Sequence, residues 1–384
     1  MKVGIVGGGI VGLAHAWSAA ERGAQVTLFE RTAKASGASI RNFGMIWVIG
    51  QPDAAQSTAL RSRSRWLTLR DQAGIWVEPC GSLHLAHHPD EWGLLEEYSH
   101  LHRHSERSEN LRLLSREETL LKSPAANPDG LLGSLWSQTE CCVDPTSAVR
   151  SLPAWLQKTY GVEFRFSTAV VQAQAGELLT GVGERHRFDE IIVCSGEDFA
   201  TLFPEVFHNQ PIRPCKLHMM RTVGQPDNWR IGPHVAGGLT LRHYPNFRSC
   251  PSLEKLAARI ESQSPELNQY GIHVMASQNQ FGQVVLGDSH QYGLDVEPFD
   301  DARIDQWILR ELHKIIRLPT WEIESRWHGI YAKYSEGLFF ERTIAPGLHV
   351  FTGLGGNGMT LSFGLAEEYW DRKLPNEKSN QSVR

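Results

Sequence analysis

A chain of 384 residues is long enough for two domains and a well-buried core. With 41% hydrophobic and 21% charged residues and a net charge of −5, it has the make-up of a soluble globular protein. It lacks the basic surplus that would suit nucleic acid or an anionic membrane surface. No apolar run reaches the roughly 18 residues of a membrane span. Only Lys2 is basic ahead of the first apolar run, so no signal peptide is read and a cytoplasmic protein is expected. Six cysteines, at 80, 141, 142, 194, 215 and 250, form no C-x-x-C pair. Neither a disulfide framework nor a metal site is predicted. The 17 histidines and 12 tryptophans are numerous and suit a pocket for a planar ligand.

The first thirty residues read β-α-β. Lys2 to Val6 is a short apolar strand. Ile10 to Arg22 is a helix with Ile10, Leu13, Ala14 and Trp17 on one face, and Gly23 ends it. Val26 to Phe29 is the next strand, with Glu30 at its carboxyl end. Leu60 to Asp71 and Pro89 to Glu106 read as helices. Asp144 and Pro145 start another, running to Tyr160. Val162 to Phe166, Ala169 to Ala173 and Ile191 to Cys194 read as strands, the last turned by Ser195-Gly196. From Pro211 to Arg326 the pattern is strand-rich: Lys216 to Thr222, Leu239 to Tyr244, Ile272 to Ser277 and Val284 to Gly287, with a capped helix over Asp300 to Arg317. His349 to Thr352 is the last strand. A glycine loop follows, then a helix from Met359 to Trp370 and a polar tail from Pro375 expected to lack order.

Gly7-x-Gly9-x-x-Gly12 ends the first strand and opens the first helix, and Glu30 follows Gly12 by 18 positions, near the ~20 of a dinucleotide fingerprint. Gly7 makes the tight turn, Gly9 lets backbone approach a pyrophosphate, and Gly12 lets the helix pack on the sheet. The helix N-terminus, with Ile10 and Val11 in its first turn, offers free N–H groups to the phosphates. Glu30 is placed to accept from ribose hydroxyls, with Arg31 beside it, and a carboxylate there disfavours a 2′-phosphate. FAD or NAD remains. No second copy of the fingerprint occurs, so a two-dinucleotide reductase is disfavoured.

The segment Ser36-Gly37-Ala38-Ser39-Ile40-Arg41-Asn42-Phe43-Gly44 resembles the second flavin motif of the D-amino-acid oxidase, glycine oxidase and sarcosine oxidase superfamily. Thr352-Gly353-Leu354-Gly355-Gly356-Asn357-Gly358-Met359-Thr360 resembles its last flavin motif, and Asp189 to Gly196 the strand and turn that cross near the flavin. Val170 and Val171 stand where that family offers backbone to adenine. The resemblance spans the whole chain. It implies an α/β plus α+β architecture: a Rossmann-like FAD-binding domain from 1–80, 143–210 and 326–384, and a discontinuous, strand-rich substrate domain from 81–142 and 211–325. It implies FAD held by Gly7, Gly9, Ile10, Val11, Gly12, Glu30, Arg31, Ser39, Asn42, Phe43, Gly44, Val170, Val171, Ser195, Gly196, Gly355, Asn357, Gly358, Met359 and Thr360. A covalent link is not expected. No cysteine follows Cys250, and His15 lies inside the first helix.

A narrower likeness rests on Arg41 to Met45, Cys215 to Thr222, Gly271 to Asn279 and Gly287 to His290. These segments resemble a clade of flavin oxidases associated with phosphonate catabolism, which implies an amine related to 2-aminoethylphosphonate, in an N-methyl or 1-hydroxy form. Two departures from glycine oxidase-like enzymes agree with a different anion. The Gly-Leu-Arg-Pro segment reads Gly329-Ile330-Tyr331-Ala332, and Gly356 replaces an arginine in the C-terminal loop. Other anchors are needed, because a phosphonate dianion calls for several charge-assisted donors. Lys216, His218 and Arg221 lie along one predicted strand and are expected on one face. Arg242, Tyr244 and His273 lie on neighbouring predicted strands, and Lys333 follows the altered segment. Arg41 sits beside the flavin motif, either at the ring and substrate or as a structural arginine. His290 is either near the flavin or a loop histidine with a structural hydrogen bond. Lys216, His273 and Tyr331 are the expected catalytic residues, Lys216 as the positive charge that activates O2.

In that superfamily the amine binds as the free base, a hydride passes from carbon to flavin N5, the imine hydrolyses and O2 takes the electrons. Three classes therefore stay open for this chain. They are an oxidase for an aminophosphonate, a dehydrogenase for a small amino acid passing electrons to a quinone, and a non-catalytic flavoprotein.

Overall fold

The computed structural model describes residues 1–375, and the last part of the polar tail lies outside the described residues. Two large sheets organise the chain. The first has six strands in the order Phe340–Ala345, Leu348–Thr352, Glu190–Val193, Lys2–Val6, Gln25–Phe29 and Glu163–Arg165. All its pairings are parallel except the hairpin of the first two. Parallel strands are buried on both faces, and Val3, Ile5, Leu28, Ile191, Ile192, Val193 and Val350 are at most 1% exposed.

One face carries Ile10–Glu21, with Gly358–Lys373, Gln56–Ala73 and Pro145–Tyr160 packed around it. Trp17, Trp66, Phe363 and Trp370 fill the space between these helices. Trp66 donates its Nε1–H to Met359 O at 2.8 Å, so the buried indole keeps a partner. Asp144 caps its helix by accepting from Ser147 N at 2.7 Å, as the Asp-Pro pair predicts.

The second sheet has nine strands. Leu111–Ser115, Gly133–Ser137, Ser82–Ala86, His234–Ala236, Met275–Gln278, Gln283–Gly287, Ile212–Gly224 and Gln291–Tyr292 follow in order, and Ile323–Tyr334 pairs with Ile212–Gly224. Only the pairing of Ser82–Ala86 with His234–Ala236 is parallel. The fold is thus a Rossmann-like sheet joined to a strand-rich second part. Ile323–Tyr334 belongs wholly to the nine-stranded sheet, so it crosses the 325/326 boundary expected from sequence. The chain rejoins the six-stranded sheet at Phe340.

Other expectations shift. Leu239 to Tyr244 is not a strand: Gly238–Leu241 is a helical turn and Pro245–Ser249 a 3-10 turn. Thr240 N and His243 N turn back to Gly237 O and Thr240 O. A side chain at Gly238 would run into the buried Glu91, so the glycine pair marks a close approach. The helix from Pro89 ends at Leu101, and the strand expected from Ile272 begins at Met275. The strands Ser82–Ala86, Leu111–Ser115 and Gly133–Ser137 were not anticipated. Among the described residues no helix is long and apolar enough to cross a membrane. All six cysteines are free thiols.

Two helices lie close at Gly364, where a Cβ would lie 2.1 Å from Thr58 O, while Gly364 N donates to Ser62 Oγ at 2.8 Å. Gly364→Ala should force the two helices apart and cost about 1–3 kcal/mol. The checking measurement is thermal unfolding of holoprotein. An unchanged midpoint would mean that this contact yields without cost.

Candidate active site

A cavity of about 1360 Å³ is lined by residues of both sheets, larger than the roughly 300–1,000 Å³ of a small-ligand pocket. One end is built from the N-terminal turn. Gly7, at φ +107°, carries its backbone past Cys194 O, which a Cβ would approach to 2.2 Å. Gly12 sits over Gly7 O, 2.0 Å from an added Cβ, so the helix lies directly on the turn. Gly9, Ile10 and Val11 line the cavity while Gly12 supports them. Ser39 Oγ accepts from Ile10 N at 2.9 Å and closes the loop over the helix start.

Glu30 lines the cavity. Its carboxylate accepts from Gly8 N at 2.8 Å, Thr32 N at 2.8 Å and Thr32 Oγ1 at 2.6 Å, which fixes its direction. Arg31 and Asp198, ion-paired at 2.8 Å, Ser195, Gly196 and the buried Val170 continue this wall. Val171 is 45% exposed and is not part of the wall, because the strand turns it outward. Arg41, Asn42 and Phe43 line the middle. Asn42 Nδ2 donates to Ala38 O and Ser39 O and its Oδ1 accepts from Gly44 N, so it shapes the loop. Gly44, at φ +74°, passes within 2.0 Å (Cβ) of Val143 O and lies behind the wall.

The C-terminal loop closes the cavity with Gly355, Gly356, Asn357, Gly358 and Met359. Thr360 lies behind it, accepting from Trp47 N at 2.9 Å. The Gly358–Lys373 helix opens without a side-chain cap at Asn357, whose Oδ1 instead accepts from Gln51 Nε2 at 2.9 Å. Its first N–H groups are therefore left for a ligand. Gly356 has no atom within 4 Å of an added Cβ, so space for a ligand lies over it. A glycine cradle at one end, an oriented carboxylate beside it and an uncapped helix start at the other fit a dinucleotide with a ring system.

The remaining wall carries Arg242, His243, Tyr244, Arg248, His273, Asp288, His290, Tyr292, Tyr331 and Lys333, with Leu217 and Met219 as apolar lining. Arg242 donates to Asn268 Oδ1 at 2.7 Å and Ile272 O at 2.6 Å, and its buried Nε has no partner. Burial lowers its guanidinium to about 10. Burial, then Arg248, pulls Lys333 below the usual lysine value. Lys333 packs its stem against Gly355, where an added Cβ would meet Cδ at 2.7 Å. Arg41 Nη1 donates to His328 O at 3.2 Å.

Burial lowers the imidazoles of His243, His273 and His290, the last to about 4, and pushes the Asp288 carboxyl well up, so this group is held uncharged. Tyr331 and Tyr244 are raised by burial in the same way. The ring nitrogens of His243, His273 and His290 lie within 4.8 Å of one another. No metal site was expected from sequence, and these residues come from separate segments.

Three expected anchors lie elsewhere. Lys216, 2% exposed, spends its ammonium on Glu297 O at 2.8 Å, Phe299 O at 2.6 Å and Asp300 Oδ1 at 2.7 Å. His218 Nδ1 pairs with Asp305 Oδ1 at 3.0 Å. Both face away from the cavity, because the lining residues of that strand are the odd-numbered Leu217 and Met219. Arg221 is on the opposite parity from Lys216 and His218, so the three do not share a face. It pairs with Glu324 at 2.9 Å, outside the cavity. His15 is fully enclosed by Phe351, Tyr369 and Trp370 and does not reach the cavity. Arg248 and Asp288 were not foreseen as lining residues. Arg248 gave no sequence signal, and Asp288 was noted only within a motif.

A strand–glycine turn–helix cradle with an acidic strand end, facing an uncapped C-terminal helix, defines a dinucleotide-binding oxidoreductase architecture. The model of the FAD dependent oxidoreductase family (DAO) matches residues 2–372, and the chain belongs to that family. Glycine oxidase from Geobacillus kaustophilus superposes with a TM-score of 0.74 at 20% identity, over 96% of this chain and 94% of that one. L-alpha-glycerophosphate oxidase from Mycoplasma pneumoniae, with FAD bound, superposes at 0.74 and 19% identity, over 98% and 94%. At these identities the likeness is one of fold. In sequence, one of the subunits of an opine oxidase from Rhizobium meliloti is 27% identical over 232 residues, 57% of this chain and 62% of the relative. A D-amino acid dehydrogenase of Helicobacter pylori strain J99 is 25% identical over 252 residues, 51% and 60%. The chain thus spans less than two thirds of these curated relatives.

Gly9→Val places a branched side chain beside Ser39 Oγ, already 3.0 Å from an added Cβ, and in the space over the turn. The expected outcome is folded protein without flavin, read as loss of the flavin absorbance with an unchanged far-UV spectrum. Full flavin content in the variant would remove this turn from the cofactor site.

Proposed function

We propose that the chain oxidises a small amine whose other end is a phosphonate, with O2 as electron acceptor and FAD held without a covalent bond. One observation carries this reading: the cavity wall opposite the dinucleotide cradle holds Lys333, Arg242 and Arg248. The surroundings of Lys333 supply another cation and no carboxylate. Lys333 and Arg242 are half-buried and Arg248 is exposed; cations drawn partly out of water without anions are costly, and an anionic substrate removes that cost.

Bound FAD supplies the two-electron acceptor for the C–H bond next to nitrogen. The protein's part is binding and orientation. Lys333 and the partnerless Arg242 Nε receive the anion, and Arg41 flanks the path between them and the flavin loop. Leu217, Met219 and Phe43 exclude water. Tyr331 and Tyr244, kept neutral by burial, offer hydroxyls to the substrate. His273 and Asp288, held uncharged, favour an amine that enters without its extra proton. Tyr331 and Gly356 stand where the resemblance to glycine oxidase calls for carboxylate-binding arginines, which disfavours an α-amino acid.

A second reading draws support from the names of the relatives, a D-amino acid dehydrogenase among them. It has an amino-acid donor and a quinone in place of O2. Peroxide release during turnover separates the two.

Acid precipitation should leave yellow flavin in the supernatant, because His15 is walled off from the cavity and Cys194 lies beneath the turn at Gly7. Colour retained in the pellet would establish a covalent bond instead.

For the substrate, kcat/KM should be at least about tenfold higher for N-methyl-2-aminoethylphosphonate, 2-aminoethylphosphonate or its 1-hydroxy derivative than for sarcosine, glycine or D-alanine. Each charge-assisted hydrogen bond contributes about 1.5–3 kcal/mol. Lys333→Met should raise KM for the phosphonate by about tenfold or more and leave the flavin content unchanged. An amino acid that outperforms all three phosphonates would overturn the reading.

A further inference from the structure

We propose that His243, His273 and His290 form a site for one divalent transition-metal ion on the substrate wall of the cavity, with Asp288 beside two of them. Three segments bring them together. His273 and Asp288 face each other across a reciprocal backbone pair, His273 N to Asp288 O at 3.2 Å and Asp288 N to His273 O at 2.9 Å. His290 follows two residues on, and His243 arrives from the turn after Gly238–Leu241. The imidazole centroids lie 4.0, 4.3 and 5.1 Å apart. Asp288 Oδ1 is 3.0 Å from His273 Nε2, and Oδ2 is 3.8 Å from His290 Nε2.

The hydrogen bonds behind the rings decide which nitrogens face inward with a lone pair. His290 Nδ1 meets Gly271 O at 3.2 Å, and a carbonyl only accepts, so the ring proton sits on Nδ1 and Nε2 is bare. Thr240 Oγ1 gives its own proton to Val274 O at 3.1 Å and is left to accept from His273 Nδ1 at 3.4 Å. His273 Nε2 is therefore bare as well. It and Asp288 Oδ1 are buried, 3.0 Å apart, and neither has a hydrogen-bond partner. His273 is 2% and Asp288 5% exposed, and what exposure they have is toward the cavity. Two acceptor atoms facing each other at this distance are joined by a cation, either a metal ion or the proton of an uncharged Asp288.

Backbone carbonyls and hydroxyls on Nδ1, with Nε2 turned inward, are the usual support for metal-bound histidine. Three imidazoles suit zinc, cobalt, nickel or iron rather than magnesium or calcium. Metal–nitrogen bonds of about 2.0–2.1 Å require the donors to close inward by roughly an ångström. The flanking Arg242 and Lys333 disfavour a bare cation and favour an anionic ligand on its open position. That last point rests on the phosphonate reading, whereas the metal site itself does not.

The test uses FAD-loaded protein, stripped with chelator and then given zinc, with bound zinc and flavin measured on the same desalted sample. Wild type should retain one zinc per flavin. His243→Ala, His273→Ala and Asp288→Asn should each bind zinc at least tenfold more weakly with flavin content unchanged, while His100→Ala, at an exposed position, should bind as wild type does. X-ray absorption at the zinc edge of wild type should show imidazole ligands, a result that needs no variant to fold. Wild type that holds no stoichiometric zinc, or variants that bind as wild type does, would overturn the site. The first outcome would mean that a proton on Asp288 fills the gap. Flavin bleaching by N-methyl-2-aminoethylphosphonate, measured with and without zinc, keeps the two proposals apart. Bleaching without zinc uptake sinks the metal site alone, and zinc uptake without bleaching by any amine sinks the proposed function alone.

Discussion

The structure depends on how closely a helix can be laid on the end of a parallel strand. At Gly12 the separation leaves no room for a single carbon, since Gly7 O would lie 2.0 Å from it, and at Gly7 the obstacle is Cys194 O. This contact seats the N-terminus of Ile10–Glu21 beside the carboxyl ends of Lys2–Val6 and Glu190–Val193, the edge at which open α/β sheets bind ligands. The helix behind Gly358 packs against the same first helix, so both ends of the cavity are referred to one rigid pair.

From this frame the cavity divides electrostatically. The cradle end offers backbone N–H groups and an oriented carboxylate, which suit phosphate esters and hydroxyls. The far end offers cations, neutral imidazoles and phenols in surroundings that disfavour charge. Burial sets this contrast more than residue type does. The same histidine that would titrate near neutrality in water is held uncharged in the wall, as His290 is at about 4. Lys216 shows the opposite solution, a buried ammonium satisfied by two carbonyls and a carboxylate. It is therefore part of the framework.

How much of this could be read in the chain depended on distance along it. The Gly7, Gly9, Gly12 and Glu30 unit was legible because its parts are neighbours and each spacing has a steric cause. The last glycine loop was legible for the same reason. Strand parity was misread at Lys216, His218 and Arg221, where one step of register decides between cavity and exterior. Leu239 to Tyr244 has a strand's alternation, but the glycine pair before it turns the chain against Glu91. The histidine cluster had no local signature. Residues 243, 273 and 290 meet only after two strands and a turn have packed, and Asp288 completes the group through a backbone pairing that periodicity does not reveal.

The order of the six-stranded sheet has a consequence for biosynthesis. Lys2–Val6 pairs with Glu190–Val193, which in turn pairs with Leu348–Thr352, each made well after the strand before it. Contacts so remote in sequence form late and slowly. The glycine turn leaves the ribosome well before the loop at Gly355 to Met359 that closes the cavity. Enclosure of the cofactor therefore waits for synthesis of that loop. A nascent chain stalled before residue 348 carries the phosphate cradle and its strand partners without the Gly355 to Met359 loop, and nothing encloses the ring.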